Sequence, residues 1–196
     1  MTTDFEIGAQ PSLLEPEIDG DVHPIFVGLD PAELVEPLSD DQPQGPINWN
    51  LVTSGEAEAE WLDLNAWVNW LRAAYGLPPT VIPPFWHRHD ELVWELSALH
   101  QHWLNSYDPG GSPSAPLVWH RDFADAKNRL REWVSTSGTR LDRDRPTRQS
   151  TWPGEAPAQP GAETVIADRD ADFVQFVIDD VTARRRIEER VRSRAS

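Results

Sequence analysis

Between Phe85 and Tyr107 the chain places His87, His89, Glu91, Glu95, His100 and His102, with His120 further along. Imidazoles and carboxylates in such density suit general acid–base transfer or a divalent metal site. Both chemistries need groups that converge on one point. Laid out as a helix, the stretch sends Glu91, Glu95 and His102 to one face while His89 and His100 flank an apolar seam. The pairs His87-x-His89 and His100-x-His102 then point to different sides. Neither a His-Glu-x-x-His pattern nor a Glu-x-x-His pair is present. The expectation is therefore of hydrogen-bonded seam histidines and solvated outer charges, with no catalytic residue, metal or cofactor assigned. A small metal-dependent enzyme using His87, His89, Glu91, Glu95 or His120 stands as the alternative.

Other catalytic equipment is missing from the sequence. With Cys 0 there is no disulfide, thiolate ligand or cysteine nucleophile. Gly110-Gly111 is not followed by Lys-Ser/Thr, no Gly-x-Gly-x-x-Gly occurs, and no Gly-x-Ser-x-Gly elbow presents a serine.

Three amphipathic segments must position the histidine-rich stretch. Thr53-Ser54-Gly55-Glu56 reads as a capping box that opens a first helix. Along it Trp61, Leu64, Trp67, Val68, Leu71, Ala74 and Tyr75 recur at threes and fours, and Gly76 with Pro78-Pro79 closes it. The central helix is read over Phe85–Tyr107, its seam being Trp86, His89, Val93, Leu96, His100, Trp103 and Tyr107. A third helix runs from about Leu117 to near Gly138 on Trp119, Phe123, Ala126, Leu130 and Trp133. Short connectors make these a small antiparallel bundle. Tryptophan supplies much of its bulk, since one buried aromatic covers about 150–250 Å². The fold class read from the sequence is thus all-α, a small Trp-rich three-helix bundle over residues 47–140.

Flanking this domain, residues 1–46 carry eleven acidic side chains and no Lys or Arg, with Pro11, Pro16, Pro24, Pro31, Pro37, Pro43 and Pro46 among them. That composition predicts a disordered acidic tail, in which Ile25-Phe26-Val27 and Leu34-Val35 are the apolar patches. Residues 141–167 read as a Pro/Gly/Ala/Gln-rich linker. Residues 168–196 form a tethered amphipathic C-terminal helix, acidic before its start and Arg-rich in its last half, as the helix dipole favours. Its Phe173, Phe176, Val177 and Val181, with Arg184, Arg185 and Arg186, are the candidate partner-binding residues: an apolar stripe for a groove and a basic cluster for an acidic rim. The competing reading packs this helix back on its own bundle.

The net charge of -16 is opposite in sign to a usual nucleic-acid footprint, and Glu188 and Glu189 interrupt the arginine cluster. Direct nucleic-acid binding is kept as a further alternative. No stretch approaches the roughly 20 apolar residues of a membrane span, and Met-Thr-Thr-Asp-Phe-Glu is not a secretory start. A cytoplasmic protein that binds no membrane is expected.

Trp86-x-x-His89, Leu96-x-Ala98-Leu99-x-x-x-Trp103, Trp119-His120 and Asn128-Arg129-Leu130-x-x-Trp133 together resemble a Trp-rich helical domain family of actinobacterial plasmids, integrative elements and phages, a domain of unknown function. Asp172-Phe173-Val174-x-Phe176-Val177-x-Asp179-Asp180-Val181 is similar to a tail found in some of its members. The resemblance covers about half of the chain. Where the family often carries a second tryptophan beside the first, Phe85 or His87 stands here. The resemblance implies a setting in mobile genetic elements and lends no catalytic or binding residue. Composition, spacing and resemblance lead to one expectation: a non-catalytic interaction or accessory protein that binds a protein partner through its tails.

Overall fold

A computed structural model describes residues 45–156 and 161–195, so the expected acidic tail over 1–46 lies, except for Gly45 and Pro46, outside the described residues. Among the described residues the fold is helical, with one two-stranded antiparallel pairing.

The first helix, α1 (Ala57–Tyr75), starts at the capping sequence. The Glu56 carboxylate accepts from the Thr53 backbone N–H at 3.0 Å and from its hydroxyl at 2.7 Å. Those bonds hold Glu56 below the usual carboxylate range. Gly76 ends the helix in the left-handed conformation, φ 58°, which only glycine adopts without strain, and Leu77 N–H closes on the Arg72 carbonyl at 3.0 Å. The buried face is Ala57, Trp61, Leu64, Trp67, Val68 and Leu71, whereas Ala74 and Tyr75, expected on the same face, are exposed.

The central helix begins later than its sequence suggests. A 3-10 turn over Trp86–Arg88 leads to His89 in an extended conformation, and α2 runs Asp90–Ser106. The reason lies in burial: Phe85, Trp86, His87 and His89 are each only 1% exposed. A helix turns about 100° per residue and cannot aim four of five consecutive side chains inward. A tight turn followed by an extended residue can. Beyond it, α2 buries Leu92, Val93, Leu96, Leu99 and His100. Helix α3 (Ala115–Thr136) seats Trp119, Phe123, Ala126 and Leu130 against it, while Trp133, expected in the same seam, is 43% exposed.

Residues 141–167 do more than link. Strands β1 (Arg143–Asp144) and β2 (Thr164–Val165) pair with Arg143 opposite Val165, and Ile166 N–H donates to the Asp142 carbonyl at 2.8 Å. Asp144 and Ile166 are buried. Gly138 permits the close return, since a Cβ there would lie 2.6 Å from the Arg145 carbonyl oxygen.

The expectation of a tethered C-terminal helix is corrected. Helix α4 (Arg169–Ala195) packs on α1 and on the 3-10 turn. It starts at Asp168, whose carboxylate accepts from the N–H groups of Asp170 and Ala171. Phe173 and Val177 enter the core beside Trp86, and Phe176 meets Trp61 edge to face at 5.1 Å. The physical reason is that the 47–140 segment alone would leave Trp61, Trp86 and His87 with an open side.

Tryptophans dominate the core as composition suggested. Trp49, Trp61, Trp67, Trp86 and Trp119 are buried, and Trp49 and Trp61 lie with centroids 4.3 Å apart. The Trp61 indole donates to Asp180 at 2.9 Å, whereas the indole N–H groups of Trp49, Trp67 and Trp119 are buried without a hydrogen-bond partner among the described residues.

Candidate functional site

Among the described residues the histidines do not gather. Each is drawn to a different carboxylate, hydroxyl or ring by the element packed over it. His87, in the 3-10 turn, places Nε2 2.9 Å from Asp172 on α4, which also pairs with Arg88. Burial pushes His87 down to about 4, against the pull of the Asp172 hydrogen bond. Its Nδ1 is buried with no partner among the described residues and its ring is edged by Phe173 at 5.2 Å, so the neutral form with hydrogen on Nε2 fits the site. Burial opposes the Asp172 charge, but the bonds from Arg88 and His87 together hold that carboxyl below its ordinary range.

His89 reaches the opposite way, into the 141–167 segment. Nε2 lies 2.8 Å from Asp144 Oδ1 and Nδ1 lies 2.8 Å from Thr147 Oγ1. The Thr147 hydroxyl in turn donates to Glu91 at 2.6 Å. Thr147 has one hydrogen, and its contact with Glu91 directs that hydrogen away from the ring. The row Thr147–His89–Asp144 has the members of a nucleophile–base–acid relay. With its hydrogen directed at Glu91, Thr147 is not presented to the ring as a nucleophile. The row acts as a buried clasp between α2 and β1.

His100 stacks on Trp67 at 4.8 Å, and burial lowers it despite Asp63 nearby. His102 bonds Asp122 at 3.2 Å and Ser106 at 3.4 Å. That second Ser-His-Asp row ends at the C-terminus of α2, where carbonyls are the nearest backbone dipoles, the wrong sign for an oxyanion. His120 lies 3.1 Å from the Tyr75 hydroxyl, and Glu95 pairs with Arg129 at 2.6 Å. His89 and Glu91 thus share Thr147, while His87, Glu95 and His120 are each held by a partner elsewhere. Among the described residues no three His, Asp or Glu side chains are grouped to hold a metal ion.

The partner-binding candidates are divided by the fold. Phe173 and Val177 are core residues, and Phe176 and Val181 are half-buried against it. Arg184 binds Asp180 at 2.7 Å and the Trp49 and Val52 carbonyls at 2.8 and 2.7 Å. Arg185 and Arg186 stay on the surface. Sequence reasoning missed the neighbouring line: Val174 and Ile178 of α4, with Leu62 of α1, are 56%, 53% and 50% exposed. Together with Val181, Thr182, Glu58 and Arg185 they line a groove of about 410 Å³ between the two helices. The signal was legible as Val174 and Ile178 four apart beside the Phe173–Val177 pair, a helix apolar on two faces.

A second cleft, of about 440 Å³, lies under Pro83 and Pro84 with Arg72 and Arg169 at its edge. Arg169 is committed to the Pro84 carbonyl, Asn65 and Asp170, and lies 5.0 Å over the Phe173 ring. No helix among the described residues is long and apolar enough to cross a membrane. No protein-family model, curated protein or solved structure matches the chain.

Proposed function

We propose that this chain is a non-catalytic interaction protein, an accessory of a mobile genetic element, and that the outer side of α4 is where a protein partner docks. The observation that carries the reading is the α1–α4 groove. Leu62, Val174 and Ile178 form an apolar strip about half exposed along the groove, ending at the exposed Arg185. Contiguous exposed apolar surface rimmed by charge marks interaction sites more often than chance exposure does. The dispersal of the described histidines supports the same reading, because their rings are engaged by side chains of different elements. The mobile-element setting rests on the tryptophan-spaced resemblance, and the acidic segment over 1–46 is a second contact region in this reading.

The test is affinity capture of partners by the full chain and by Ile178→Asp, followed by binding of the purified partner to both. Removing α4 would open the core, so a surface substitution replaces truncation. A partner that binds the full chain and loses about tenfold or more in affinity on Ile178→Asp supports the reading. Equal binding to both removes it.

A further inference from the structure

Helix α4 carries two seams. One is the core seam through Phe173 and Val177. The other runs Val174, Ile178, Val181, Arg185, Glu188 and Arg192, spaced four, three, four, three and four, which is the repeat along which a second helix packs. Its first half is apolar and forms the wall of the groove with Leu62. Its second half is charged, and Glu188 is committed to the backbone N–H and hydroxyl of Ser54 at 2.6 and 2.7 Å. The seam therefore presents aliphatic side chains and then the exposed Arg185.

From this pattern we infer that the partner element is an amphipathic helix, aliphatic over one turn or two and acidic further along, lying antiparallel to α4. The inference rests on the docking reading above and adds the chemistry of the occupant. Ile178 and Arg185 are seven residues apart, about 10 Å along the helix, so the carboxylates of the partner stand roughly two turns from its aliphatic anchors. Antiparallel packing puts those carboxylates in the partner's first turns, where its own dipole stabilises them. The basic character extends past the seam: the last fourteen residues hold Arg184, Arg185, Arg186, Arg190, Arg192 and Arg194 against Glu188 and Glu189. A polyanionic duplex would meet the arginines but leave Leu62, Val174 and Ile178 in water. A second copy of α4 would set arginines against the arginines or the aliphatic turn of its twin in most registers. An acidic amphipathic helix satisfies both halves.

The test selects binders from a displayed library of randomised amphipathic helices against the full chain. Individual peptides are then titrated by fluorescence anisotropy against the full chain, Ile178→Asp and Arg185→Glu. The expected result is enrichment of aliphatic residues at three- and four-residue spacing preceded by Asp or Glu, with affinity reduced about tenfold or more by either substitution. Both variants alter exposed side chains, and unchanged thermal melting verifies their fold. Peptides that lose binding with Ile178→Asp but are neutral or basic and indifferent to Arg185→Glu overturn the partner chemistry and leave groove docking standing. Peptides indifferent to both substitutions, or no enrichment at all, overturn both readings. Self-association in sedimentation that Ile178→Asp abolishes assigns the groove to a second copy. Salt-dependent retention of a DNA or RNA duplex lost with Arg185→Glu assigns the arginines to nucleic acid. Either result overturns the inference.

Discussion

His87 Nε2 lies 2.9 Å from Asp172 Oδ2, and this contact ties the turn before α2 to the first turn of α4 across 85 positions of sequence. The pair is asymmetric: the imidazole is buried and held to about 4, while its carboxylate is kept charged by Arg88 as well as by the ring. Neutral His87 is thus part of what holds α4 on the bundle.

Stability should fall as the solution is acidified from about pH 6.5 to about pH 4. In that window the unfolded chain protonates His87, with an ordinary value near 6.5, while the folded chain does not. The unfolded state then binds more protons, so its free energy drops relative to the fold. A lowering of that size corresponds to roughly 3 kcal/mol when fully expressed. Asp172, whose carboxyl is depressed, adds a further loss at lower pH as it protonates. Urea melts between pH 7.5 and 4 measure this, and His87→Gln should flatten the His87 part of the slope. An unchanged slope in that variant would show that other groups set it.

Asp144→Ala should destabilise the protein by about 3 kcal/mol. It removes the partner of a fully buried ring, and a buried polar group left alone is costly. The loss should also be local in character. Hydrogen exchange at Ile166 and Arg140, whose N–H groups bond to the Asp142 and Arg143 carbonyls, should accelerate more than exchange within α2. Uniform acceleration would mean that the segment 141–167 is not clasped through His89.

Gly138→Ala should cost about 1–3 kcal/mol although it adds one methyl group. The added carbon would meet the Arg145 side chain and, at 2.6 Å, its carbonyl oxygen, so the returning chain must move. Thermal melting compares it with Gly55→Ala. There the nearest atom to the added carbon is the Thr53 hydroxyl at 3.9 Å, and little change from crowding is expected.

Zinc, nickel or manganese at micromolar concentration should leave the melting temperature within about 1 °C of its metal-free value, and so should a chelator. Only an ion that binds the folded state stabilises it, and among the described residues no three His, Asp or Glu side chains are grouped to hold one. A saturable upward shift with one ion would revive the metal-dependent alternative.

What the sequence determined by itself is local. The helix periods of α1 and α3, the Thr53–Glu56 cap, the Gly76 stop and the tryptophan bulk all follow from spacing within one element, because helix geometry fixes which side chains share a face. The sequence also separated the His-x-His pairs, although it did so through a continuous helix that the 3-10 turn at Trp86–Arg88 replaces. Tertiary structure alone decided the rest. An amphipathic stripe states that a face will be covered and not by what, so Phe173 and Val177 read as partner contacts until α4 is seen on α1. For the same reason the 141–167 segment read as a linker: Asp144 looks solvated in composition, and only the position of His89, 55 residues earlier, gives its charge a buried partner. The exposed Val174–Ile178 line emerges last, because a helix with two apolar faces shows which one is spare only after the other has been filled.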